Sequence, residues 1–171
     1  MDPENRAGSH GKDAEPRTPP ISHLKRREIQ APIAACLIRA FAGVTGIEKA
    51  MEVAGGAIEA DAASAGRAVA ERSGGNGMAE LGRVVREIWS EEGALVIRIL
   101  EETERRLSFD VTRCRYAELY EEMGMRDFGF CLSCNRDEAF ARGFNPRIRL
   151  TRTRTIMQGA PVCDFRFTLG E

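Results

Sequence analysis

The chain has 171 residues, enough for one domain of ordinary size that buries a core without metal or disulfide staples. Its 25 Lys and Arg nearly balance 26 Asp and Glu, for a formal charge of -1, which excludes the chain-wide basic footprint of a nucleic-acid binder. Five cysteines is an odd number, no apolar leader precedes them, and no apolar run approaches the ~20 residues that cross a bilayer, so a reduced, cytoplasmic, soluble protein without a membrane partner is expected.

Residues 1–20 carry Pro3, Pro16, Pro19 and Pro20 among polar and charged residues, without apolar periodicity. Such a segment cannot bury enough surface to offset its ordering entropy, and it is expected to be a disordered tail ahead of one domain over residues 21–171.

From Ile21 the pattern changes. Ile33, Leu37, Ile38 and Phe41 recur at helical spacing, and Pro32 predicts a bend or a late start. Ala50, Val53, Ala54, Ala57 and Ile58 continue an alanine-rich helix to about Glu71, where Gly55 and Gly56 either weaken it or permit close helix packing. A break over residues 73–77 precedes Leu81, Val84, Val85, Ile88 and Trp89, the apolar face of a short amphipathic helix.

Residues 94–100 and 105–113 alternate in strand fashion, with Leu107, Phe109 and Val111 on one side, and they predict an antiparallel hairpin turning near Thr103. Tyr116, Leu119, Tyr120 and Met123 resume helical spacing up to a stop at Gly124. Two further strands are expected at about 146–157 and 161–169. Helices first and strands last give an α+β class, with N-terminal helices packed on one face of a small, mainly antiparallel sheet.

In the strand expected at 146–157, Arg152 and Arg154 share parity with Ile148, Leu150 and Ile156. Arginine on a core-directed face calls for a carboxylate from the protein or a ligand, unless an exposed edge or a bulge shifts the register. In the last strand Cys163 shares parity with Phe165, Phe167 and Leu169 and faces the core side.

Cys131 and Cys134 form a C-x2-C pair with Asp137 three residues on. Metal ligands, a redox pair, or a nucleophile with a helper all fit that spacing. Zinc would need four ligands, which Cys114, Cys131, Cys134 and Cys163 could supply if they converge. A thioredoxin-like dithiol lacks its βαβ context. Only His10 and His23 are available for histidine-based catalysis, the first in the tail and the second at the front of a helix. Acid-base work therefore falls to Asp137, a thiolate, or both, with a helix N-cap as the plain alternative for Asp137.

Five blocks in order, DVTRCRYAELYEEMG, LSCNRD, FNP, RTRTIMQGA and CDFRF, resemble the L-2-amino-thiazoline-4-carboxylic acid hydrolase family. The resemblance implies Cys114, Cys134, Asp137, Arg152, Thr153, Gly159 and Cys163 as carried-over positions, and hydrolytic opening of a thiazoline ring to N-carbamoyl-cysteine as the activity. On that reading Cys134, Asp137 and Cys163 are catalytic. Arg152, Arg154, Thr153 and Cys114 hold a small carboxylated substrate, and no cofactor is needed. A non-catalytic small-molecule or metal-binding module of the same fold is the alternative, and a homo-oligomer is left open.

Overall fold

The computed structural model describes residues 21–170, so the expected tail over residues 1–20 lies outside the described residues. Helix α1 (His23–Thr45) starts at Ser22, whose side chain accepts the Lys25 N–H, and ends at Gly46, whose φ of 84° few other residues would adopt. Pro32 sits inside α1 on its solvent side, where the carbonyl it leaves unpaired can meet water, so the helix runs on past it. Helix α2 (Ile47–Ser73) follows directly and runs unbroken through Gly55 and Gly56.

Helix α3 (Met78–Val84) passes into a π-turn over Val85–Trp89, closed by the Ser90 N–H on the Val85 carbonyl at 3.1 Å. Strands β1 (Leu95–Glu102) and β2 (Arg106–Cys114) form the expected hairpin. Thr103 closes it, donating its N–H to the Arg106 carbonyl at 2.8 Å and accepting the Arg106 N–H on its hydroxyl at 3.0 Å.

Helix α4 (Arg115–Glu122) stops before Gly124, as its sequence indicated. The stretch after it is helical too. Helix α5 (Arg126–Gly129) runs through a second π-turn (Phe130–Cys134) into α6 (Arg136–Phe144), placing helices between the strands as well as ahead of them.

The expected strand at 146–157 is much shorter. Strand β3 is Ile148–Thr151, because the N–H groups of Thr153 and Arg154 turn away from the ladder and donate to the Asp164 carboxylate at 3.0 and 2.9 Å. Thr155 then caps a 3-10 turn, Ile156–Gln158. Arg152 and Arg154 therefore follow the strand rather than alternate within it. Strand β4 (Cys163–Leu169) completes an antiparallel sheet of order β1-β2-β4-β3.

In that sheet Leu107, Phe109 and Val111 stand opposite Phe167, Phe165 and Cys163. These residues form the face that the helices cover, and the Phe109 and Phe165 rings stack with centroids 4.9 Å apart. The opposite face carries Asp110 between Arg98 and Arg166, each 2.8 Å away.

The core has two parts. One joins α2, α3 and α6 to the sheet, and the other joins α1, α4 and α5 around Tyr120, Phe128 and Leu132. Close helix packing depends on Gly66 and Gly143 rather than on Gly55 and Gly56. A Cβ on Gly66 would overlap the backbone of Phe140 and Phe144, and one on Gly143 would overlap the backbone of Ala63. Bare backbone at both positions lets α2 and α6 approach each other.

Candidate functional site

A cavity of about 280 Å³ lies between the helices and the covered face of the sheet. Its walls are mostly apolar: Ile88, Trp89, Leu95, Val111, Phe140 and Phe165. The Trp89 ring meets Phe140 edge-on at 5.4 Å, which fixes the back wall.

Both π-turns deliver side chains to this space. The first brings Ile88 and Trp89, the second Ser133 and Cys134. A π-turn closes i to i+5, so residues three apart point further from one another than in an α-turn. Cys131 and Cys134 accordingly diverge. Cys131 lies against the Met51 carbonyl of α2 at 3.8 Å, whereas Cys134 lines the cavity.

The four thiols considered for zinc therefore do not meet as a set, although Cys114, Cys134 and Cys163 all line the same cavity. Among the described residues no group of three or more His, Cys, Asp or Glu side chains is arranged to hold a metal ion. All five cysteines are free thiols.

At the polar end Arg152 forms an ion pair with Asp137 and donates to the Cys134 carbonyl at 3.0 Å. The guanidinium also lies over the Phe165 ring, 5.0 Å from its centroid. Asp137 stands in the first turn of α6 and caps nothing, because the π-turn leads into that helix without a free end.

Burial lifts the Asp137 pKa above the ordinary carboxylate value, and the Arg152 cation limits the rise. Burial also pushes the Cys114 thiol up to about 11 and raises Cys134 and Cys163. The three thiols are thus neutral S–H groups at pH 7, better suited to contact and weak donation than to attack as thiolates.

Thr153 and Arg154 point elsewhere. The Thr153 hydroxyl donates to Asp164 at 2.6 Å, and Arg154 Nε lies 4.0 Å from the same carboxylate. Both residues border a second, polar cleft of about 320 Å³ with Glu59, Glu138 and Arg142, which shares Cys134 and Arg152 with the first. Gly159, with φ 94°, ends the 3-10 turn and contributes backbone shape.

The mouth is basic, a feature not foreseen from sequence. His23, Arg26, Arg27, Arg72 and Arg136 line it. Arg136 pairs with Asp61, but Arg27 forms no ion pair among the described residues and meets only the Gln30 side chain at 2.6 Å. Burial, then the neighbouring Arg136 cation, lower the Arg27 pKa. Burial and Arg26 likewise push His23 below its ordinary value.

A sequence signal existed for Arg27. It continues the buried stripe of Ala31, Ala35 and Ile38 toward the N-terminus at helical spacing. Beside it Tyr120 is fully buried, and its hydroxyl has no hydrogen-bond partner among the described residues.

Fold and cavity together define an α+β domain built around an internal space of small-molecule size, apolar at the walls and cationic at the entrance. Residues 26–167 match the family model described as L-2-amino-thiazoline-4-carboxylic acid hydrolase, and the chain belongs to that family. No curated protein matches the chain.

Among solved structures, the phenol-responsive sensory domain of the transcription activator PoxR with phenol is similar, with a TM-score of 0.52 at 15% identity. The likeness covers 81% of this chain and 73% of that one, and at this identity it shows the fold alone.

Proposed function

We propose that this chain is a hydrolase that opens a small carboxylated heterocycle, such as L-2-amino-thiazoline-4-carboxylate to N-carbamoyl-L-cysteine. The observation that carries the reading is the meeting of Cys114, Cys134, Cys163 and the Asp137–Arg152 pair in one cavity with apolar walls and a basic mouth. Family membership supplies the substrate class.

The ring carbon bonded to nitrogen, sulfur and the exocyclic amine is the electrophile. Water adds there, the carbon–sulfur bond breaks, and the two water protons end on the departing sulfur and the ring nitrogen, so that ring plus water gives the carbamoyl thiol. Asp137 takes the proton from the attacking water, because its raised pKa brings it nearer the range in which a base works. The same carboxyl can return that proton to the departing sulfur. Neutral Cys134 and Cys163 contact the ring and donate weakly to its heteroatoms.

Arg152 is already committed to Asp137 and Arg136 to Asp61, so the substrate carboxylate falls to Arg27 at the mouth. The test is thiol release from L-2-amino-thiazoline-4-carboxylate by the purified chain. Asp137→Asn and Cys134→Ala should lose most of that release with far-UV circular dichroism unchanged, and full activity in both variants removes this site assignment.

A second reading, a non-catalytic ligand-binding module, is favoured by the walls. Trp89, Phe140 and Phe165 would accept an aromatic ring, and the similar PoxR domain is described with phenol. It requires thermal stabilisation by a ring compound such as phenol or benzoate with no turnover of any cyclic amidine.

A further inference from the structure

Helix α1 turns an apolar stripe away from its own protein. Ile29, Ile33, Leu37, Phe41 and Val44 recur every three or four residues, and their exposures run from 51% at Ile29 to 86% at Val44. At 100° per residue they occupy roughly a third of the helix circumference. Ala31, Ala35 and Ile38, on the opposite side, pack into the core. Ile47 and Val53 of α2 are exposed as well.

Scaled to ordinary side-chain areas, the five α1 residues expose roughly 600 Å², at the upper limit of the largest patch typical of a monomer and about three-quarters of one side of a standard stable interface. Between Ile29 and Val44 no charged residue lies on the stripe, since Arg39 falls on another side of the helix. By length and composition α1 is also long and apolar enough to cross a bilayer, and only 17% of its apolar 18-residue stretch is buried. This corrects the expectation that no segment reaches that threshold.

We propose that this face docks a second copy of the same chain, α1 against α1 in antiparallel orientation about a two-fold axis near Leu37. The stripe is self-complementary about that point. With Leu37 on the axis, Ile33 meets the partner's Phe41, and Ile29 lies beside the partner's Val44. Repeats of four residues form the ridges that interdigitate when two helices pack 8–10 Å apart. Ala40 and Cys36, the small residues near the centre, leave room for that approach. Residues 1–20 offer no apolar run with which to cover the face themselves.

Cys36, the one exposed cysteine, adjoins the axis and serves as the reporter. The full chain should sediment as a dimer at micromolar concentration, and Leu37→Glu as a monomer with unchanged far-UV circular dichroism. A short bis-maleimide should join wild-type chains into covalent dimers, and Cys36→Ser should abolish the product while remaining dimeric. A monomer at every concentration, or a dimer that survives Leu37→Glu, overturns the proposal. A monomer that floats with phosphatidylcholine–phosphatidylglycerol vesicles assigns the face to lipid and also overturns it. A proven dimer that the bis-maleimide fails to join overturns the antiparallel placement.

Discussion

Arg152 and Asp137 form an ion pair whose side chains are only 10% and 22% exposed, and Arg152 also ties that pair to the Cys134 carbonyl. Two charges held this far from bulk water depend on each other. Removing one leaves the other desolvated without its counter-charge, which costs more than the pair itself contributes.

Arg152→Met should therefore destabilise the chain by about 2–4 kcal/mol in urea titration, and Asp137→Leu by a similar amount. The double variant should lose clearly less than the two combined, since neither charge is then stranded. Strict additivity in this cycle would show that the pair does not act as a unit.

The pH profile follows from the same pair. Asp137 must be ionised to accept a proton, so kcat/KM should fall as pH drops through its raised pKa, placing the acid limb above the ordinary carboxylate range. Loss of the Arg152 cation removes the charge that opposes that rise. Arg152→Gln should shift the limb to higher pH, and a limb that moves the other way contradicts the role given to Asp137.

Arg27 offers a separate readout, because it forms no ion pair or hydrogen bond with Asp137 or Arg152 and its side chain bonds Gln30 instead. If it binds a carboxylate equally in ground and transition states, Arg27→Met raises KM by about 10- to 100-fold and leaves kcat nearly unchanged. Benzoate binding, followed by calorimetry, should weaken in parallel while benzamide binding does not change.

At the crossing of α2 and α6, Gly66→Ala and Gly143→Ala each place a methyl group against backbone rather than a movable side chain. The nearest atoms include Phe144 N at 2.8 Å and the Ala63 carbonyl carbon at 2.7 Å. Each substitution should cost about 2–4 kcal/mol, measured by thermal or urea unfolding. Gly56→Ala meets open space and should be neutral or slightly stabilising.

On the outer face of the sheet, hydrogen bonds from Arg98 and then Arg166 hold the Asp110 pKa below the ordinary carboxylate value. A depressed carboxylate stabilises the fold above its unfolded pKa, and that contribution disappears as pH falls through the folded value. Solvent-exposed Arg98 screens part of the gain, so Asp110→Asn should cost about 1 kcal/mol at pH 7. The gap between variant and wild type should close in urea titrations near pH 2.

Much of the fold was legible in the sequence. The helical period of α1 and α2 arises from local backbone preference, the alternation of Leu107, Phe109 and Val111 from one-sided burial, and the turn at Thr103 from local hydrogen bonding. Cys163 faces the covered side for the same reason, since β4 alternates cleanly. The helices from Arg126 to Phe144 were not anticipated, although Phe128 and Leu132, and Phe140 and Phe144, recur at helical spacing, because Gly129 and Gly143 interrupt the pattern.

Other features depended on distant partners. Strand β3 ends at Thr151 because the Asp164 carboxylate, across the sheet, takes the backbone N–H groups of Thr153 and Arg154. No local pattern could announce that competition.

By itself the sequence determined the α+β class, the family, and the set of groups available for chemistry, because periodicity and ordered blocks are properties of the chain. Tertiary structure alone decided which of those groups meet. The π-turn at Phe130–Cys134 sends Cys131 to α2 and Cys134 to the cavity, and the early end of β3 leaves Arg152 with Asp137 while Arg154 turns to Asp164. Side chains close in sequence were parted by one widened turn, and residues far apart were joined by burial, which acts through space and not along the chain.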